Sequence, residues 1–117
     1  MNEKSKYLSI LIAKNNKDIS LNEIIQAELD DISKIIFAIV KNNEENSHNY
    51  IFLFDEKGNK LSKNLSAPKG YIIYYLEKNS GIVNIICNEI NPSTHWQDWR
   101  FQLRGVDHEF VKLGPSY

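Results

Sequence analysis

Between Leu21 and Val40 the apolar residues recur every three or four positions, whereas elsewhere in the chain they alternate or run together. Leu21, Ile25, Leu29, Ile32, Ile36 and Ile39 form one stripe, widened by Ile24, Ile35 and Val40. That is the period of an amphipathic helix with one buried face. Ser20 followed by Glu23 makes a capping box, in which hydroxyl and carboxylate satisfy the free amides of a helix start. The pattern therefore predicts a helix from Ser20 to about Lys41, ended by the polar run Asn42 to Ser47. Two residues break the stripe. Glu28 falls inside it and is expected to reach water or a neighbouring Lys, with a functional buried carboxylate as the alternative, while Phe37 falls on the polar face, free to touch a sheet or a partner chain.

Before and after this segment the period is two. Tyr7 to Ala13 is predicted as a first strand, followed by a polar turn from Lys14 to Asp18. Tyr50 to Phe54 is a strand, Asp55 to Asn59 a turn, Lys60 to Leu65 a weaker returning strand and Ala67 to Gly70 a loop. Tyr71 to Leu76 and Ile82 to Cys87 then form a hairpin across Glu77 to Gly81. Both are apolar on nearly every residue, so both of their faces are expected to be covered and both strands to be central in a sheet. One helix covers one face. The other requires a further layer, a folded-back terminus or a second copy of the chain in a homodimer. The fold class predicted is α+β, a mostly antiparallel sheet with one long amphipathic helix packed on one face, in a single domain over 1–117.

Residues 94–104 fit two structures. As a helix, Thr94 is the N-cap, Gln97 completes a capping box, and Trp96, Trp99 and Leu103 share a face before Gly105. As a hairpin, the alternation from Asp98 to Arg104 turns at Gly105-Val106-Asp107 into His108 to Leu113. The hairpin is preferred, because counting back from the turn sets Trp99 opposite Leu113 and Phe101 opposite Val111, with Leu103 against Glu109 the one mismatch. That register gathers Arg100, Gln102, Arg104, His108, Phe110 and Lys112 on the opposite face.

Composition narrows the function. A net charge of −1 supplies no general attraction to polyanions, which argues against nucleic acid and anionic membrane as partners. No apolar run is long enough for a membrane span, and no secretory signal is expected from the charged first residues with their short apolar stretch. Cys87 is the only cysteine, within an apolar run, so it is expected to be a buried thiol in a reducing compartment, with the protein cytoplasmic. His48, His95 and His108 lack paired metal-ligand spacing, and phosphate-loop, dinucleotide and nucleophile-elbow motifs are absent. Neither a metal nor a cofactor is expected, nor enzymatic activity. An acid–base pair of His95 and His108 with Arg100 or Arg104 holding phosphate ranks third among functions.

Both Trp and both Arg lie between His95 and His108, and these are the side chains most enriched where binding energy concentrates. The predicted partner-binding residues are Trp96, Arg100, Gln102, Arg104, His108, Phe110 and Lys112. The competing structural explanation is a solvated outer face of an edge hairpin, where Lys and Arg discourage aggregation. The acidic pairs Asp30-Asp31, Glu44-Glu45 and Asp55-Glu56 are a rival contact surface for a basic partner. In whole-chain profile, small, slightly acidic, rich in Lys, Asn and Ile and free of enzyme motifs, the sequence resembles the immunity proteins of contact-dependent growth inhibition and other polymorphic bacterial toxin systems. That resemblance implies a protein that binds and blocks a cognate toxin domain, often a nuclease. The alternative is a small nucleic-acid-binding protein using Arg100, Arg104, Lys112 and Phe110.

Overall fold

A computed structural model describes residues 24–42, 48–62, 64–91 and 98–116. Among them there is no helix. Eight strands form two four-stranded antiparallel sheets, each in sequential order. The first holds β1 (Ile24–Asp30), β2 (Ile35–Val40), β3 (Tyr50–Phe54) and β4 (Leu65–Ser66); the second holds β5 (Tyr71–Asn79), β6 (Ile82–Glu89), β7 (Asp98–Arg104) and β8 (Glu109–Pro115).

The helix predicted from Ser20 to Lys41 is therefore corrected, over its described part, to the β1–β2 hairpin, and α+β gives way to two β-sheets. The cause lies in the turn. Asp30 Oδ1 accepts the N–H groups of Ile32 and Ser33, and Lys34 takes φ 62°, reversing the chain within residues 31–34. Beyond the turn, Ile35-Ile36-Phe37-Ala38-Ile39-Val40 is apolar on six consecutive residues, as befits a strand covered on both faces rather than a helix with one wet side. The two pattern-breakers then need no special account: Glu28 and Phe37 are cross-strand partners. The predicted first strand, Tyr7 to Ala13, its following turn and the Ser20–Glu23 cap lie outside the described residues.

The two sheets pack face to face. Odd-numbered residues of β2 and β3, Phe37, Ile39, Ile51 and Leu53, meet Ile73 and Leu76 of β5, Val83, Ile85 and Cys87 of β6 and Phe101 of β7 in one buried cluster. Even-numbered residues of β2 and β3 form a second apolar layer on the far face of the first sheet, with Ile36, Ala38, Val40, Phe52 and Phe54 buried beside Ile24 and Ala27. There the Lys60 Nζ stands 4.1 Å from the centre of the Phe52 ring. The weak strand predicted from Lys60 to Leu65 reduces to β4 and one bridge, Lys60 to Phe54.

Of the two strands expected to be central, one is. β6 lies between β5 and β7 and buries Val83 through Cys87 without a break. β5 is an edge strand of its sheet, and Tyr74 and Tyr75 are exposed. A bulge between Ile73 and Tyr75 shifts the alternation by one residue and turns this tyrosine pair outward. β1 covers the free edge there with side chains. Gln26 Oε1 accepts the N–H of Leu76 at 2.8 Å and Gln26 Nε2 donates to the Leu76 carbonyl at 2.9 Å, as a neighbouring peptide would. Asp30 Oδ2 accepts the Val83 N–H at 2.9 Å, and the Asp31 N–H donates to the Gly81 carbonyl at 2.7 Å. Gly81 has φ +80°, and a Cβ there would stand 3.0 Å from Asp31 Oδ2, so both conformation and space call for glycine.

Candidate functional site

The β7–β8 hairpin is present as predicted, which excludes the helix for residues 98–104, but its register differs. The turn takes four residues, 105–108, with Gly105 at φ 79° and His108 at φ 52°. Leu103 consequently faces Phe110, and Arg104 faces Glu109. A bulge between Arg100 and Phe101 then pairs Phe101 with Lys112 and Trp99 with Pro115. The one mismatch in the predicted register, Leu103 against Glu109, is thereby replaced by an apolar pair. One added turn residue reverses the facing of the return strand from Glu109 to Lys112, and the bulge restores it at Gly114 and Pro115.

The predicted contact face is split as a result. Arg100, Gln102 and Arg104 share the outer face of the second sheet. Phe110 turns inward beside Trp99, Phe101 and Leu103, with the Phe101 and Phe110 rings 6.1 Å apart edge to face, and Lys112, although exposed, lies on that same side opposite Phe101. Lys112 Nζ lies 3.8 Å from the Trp99 ring centre and donates to the Tyr71 hydroxyl at 2.7 Å, so this cation is occupied within the fold. Trp99 Nε1 is buried without a hydrogen-bond partner among the described residues. His108 belongs to neither face and sits at the turn. Trp96, like His95, Thr94 and Gln97, lies outside the described residues.

On the outer face the side chains make a connected network. Arg100 donates through Nε to Glu77 Oε1 at 2.9 Å and through Nη2 to Oε2 at 3.2 Å, a two-pronged pair across the Ile86 position. Asn84 Nδ2 donates to the same Glu77 Oε1 at 3.3 Å, Gln102 Nε2 to Asn84 Oδ1 at 2.9 Å, and Arg104 Nη2 to Gln102 Oε1 at 3.1 Å. The Arg100 hydrogen bonds hold the Glu77 carboxyl below its ordinary pKa against the opposing effect of burial, and Glu77 raises that of Arg100 in turn. Beside this network stands the Tyr74–Tyr75 pair, rings 5.0 Å apart edge to face, with Tyr75 and Arg100 on either side of Ile86. Glu77, Asn84, Tyr74 and Tyr75 were not among the residues predicted for contact. Ser80-Gly81 was the available signal: a two-residue turn there pairs Asn79 with Ile82 and hence Glu77 with Asn84.

At the end of the sandwich where the β1–β2, β5–β6 and β7–β8 turns meet, a cleft of about 150 Å³ opens between the sheets. Ile35, Phe37, Leu53, Val83 and Leu103 wall it, and His108 and Asp30 also line it. No cluster of three or more His, Cys, Asp or Glu able to hold a metal occurs among the described residues, and none of their helices or strands is a helix long and apolar enough to cross a membrane. Comparison with protein-family models, with curated proteins and with solved structures finds no match.

Proposed function

We propose that this chain is a non-enzymatic, cytosolic binding protein whose partner is another protein, held on the outer face of the second sheet, and that it acts as an immunity protein neutralising a toxin domain. The observation that carries the choice of partner is the Arg100–Glu77 pair at the centre of a satisfied network, flanked by the exposed Tyr74 and Tyr75. A fixed guanidinium beside two aromatic rings presents pre-ordered contact area at little entropic cost, which suits a protein interface. The same geometry argues against nucleic acid. Arg100 is neutralised by Glu77, and Lys112 points to the other face, leaving Arg104 without the row of cations that a phosphate backbone requires. Immunity to a toxin rests on the whole-chain resemblance together with this surface.

The test pairs the purified chain with the toxin domain encoded beside its gene. Tight binding that survives moderate salt and loss of toxin activity are expected, with Tyr75→Ala costing about 2 kcal/mol, mainly through faster dissociation. Tight binding to RNA or DNA that falls steeply with salt would instead support the nucleic-acid alternative.

A further inference from the structure

We propose that the cleft between the sheets is a binding site for a small, neutral aromatic molecule of the phenol class, with His108 as its polar anchor. Its volume of about 150 Å³ and its walls of Ile35, Phe37, Leu53, Val83 and Leu103 make it large enough for one benzene-sized ring. Enclosed apolar cavities of roughly that size take up benzene; this cleft is open on one side and adds Ser33, Gln102, Asp30 and His108 to its apolar walls. Phe37, Leu53 and Val83 at its floor are buried, whereas Ile35 and Leu103 are half-buried, so the cleft has a closed base and an entrance.

His108 gives the site its chemistry. It is half-buried, adopts a left-handed conformation that non-glycine residues rarely keep, and its imidazole makes no hydrogen bond among the described residues. It also lines a second, wider groove of about 450 Å³ on the open side between β4 and β8, and so stands where the cleft meets solvent. An uncharged imidazole offers one donor and one acceptor nitrogen, which match a hydroxyl. Charge sets the ligand's sign. Asp30 lines the cleft, and Asp107 and Glu109 flank His108 in the groove, so a carboxylate ligand is repelled. The Asp30 carboxylate already accepts three backbone N–H groups and is no counter-ion for a ligand cation.

Methyl NMR spectra of the full chain titrated with phenol, benzene and benzoate test the proposal. Phenol is expected to give saturable shifts confined to the methyls of Leu53, Val83 and Leu103, benzene the same shifts at about tenfold weaker affinity, the worth of one hydrogen bond, and benzoate none. His108→Gly removes the imidazole and suits the left-handed backbone. It should reduce phenol to the affinity of benzene while leaving benzene unchanged. Val83→Phe, which fills the cleft, should abolish both. Absence of saturable shifts, benzoate binding as well as phenol does, or phenol affinity unaltered in His108→Gly would each overturn the proposal. Arg100, Glu77, Tyr74 and Tyr75, which carry the protein-binding proposal, line neither the cleft nor the groove, so failure here leaves that reading standing.

Discussion

Asp30 shows how one side chain fixes both a turn and a sheet contact. Its carboxyl is buried, which by itself raises its pKa, yet the N–H groups of Ser33, Val83 and Ile32 outweigh burial and bring it below the usual Asp value of 3.8. The sign of the linkage follows. A carboxyl held lower in the folded than in the unfolded chain contributes its full stabilisation above the unfolded value and loses it as pH falls through the folded one. Urea melts of the protein should therefore weaken as pH drops below about 4, the unfolded carboxyl range. Asp30→Asn should cost about 1–3 kcal/mol at neutral pH, because its amide cannot accept all three donors, and should lessen that acid dependence, leaving the part due to Glu77. An undiminished acid slope in the variant would place the titration elsewhere. Cys87 behaves oppositely. Burial pushes its thiol up to about 12, so a thiol reagent should label it only as fast as the protein opens. Rapid labelling of the native protein would show the inter-sheet core to be open at β6.

At the scale of elements, β3 and β6 were the most legible in the sequence, whereas β2, covered on both faces like them, was read as part of a helix. β3 and β6 match their predicted segments because contiguous Ile, Val, Phe and Leu need no assumption about a face. The β1–β2 hairpin was hidden because Ile25, Leu29, Ile32, Ile36 and Ile39 fall by chance on helical spacing. Ile25 is a bulge residue and Ile32 a turn residue, both exposed, so their apolar character carried no information about burial. The β7–β8 pairing was legible, but its register depended on one turn residue in αL, His108, a conformation that local composition does not announce. Register makes a direct prediction. Phe110 lies inward on the Phe101 ring and Val111 outward opposite Gln102, so Phe110→Ala should destabilise by about 2–4 kcal/mol and Val111→Ser by under 1. Equal costs, or the reverse order in chemical denaturation, would restore the register read from the three-residue turn.

For the whole molecule, the site was legible only as residue types. Arg100, Gln102 and Arg104 were found by alternation, but the acid that holds Arg100 comes from β5, two strands away, and no local pattern states that neighbourhood. The same is true of the contacts that join the sheets. Gln26 and Asp30 project toward the β5–β6 edge from a strand whose inner face is polar at its edge position, and they replace by side chain the hydrogen bonds a continuous sheet would have made. The inter-sheet core draws on β2 and β3 from one sheet and β5, β6 and β7 from the other, so neither sheet keeps its buried face without its partner. Unfolding should accordingly be cooperative. Amide exchange in β2–β3 and in β6–β7 is expected to converge on one opening free energy, the global one. Gln26→Ala should lower that value in both sheets together by about 1–2 kcal/mol, because it strands the Leu76 N–H and carbonyl at a half-covered edge. If only β1 and β5 amides exchanged faster while the others kept their protection, Gln26 would be fastening an edge and not coupling the sheets.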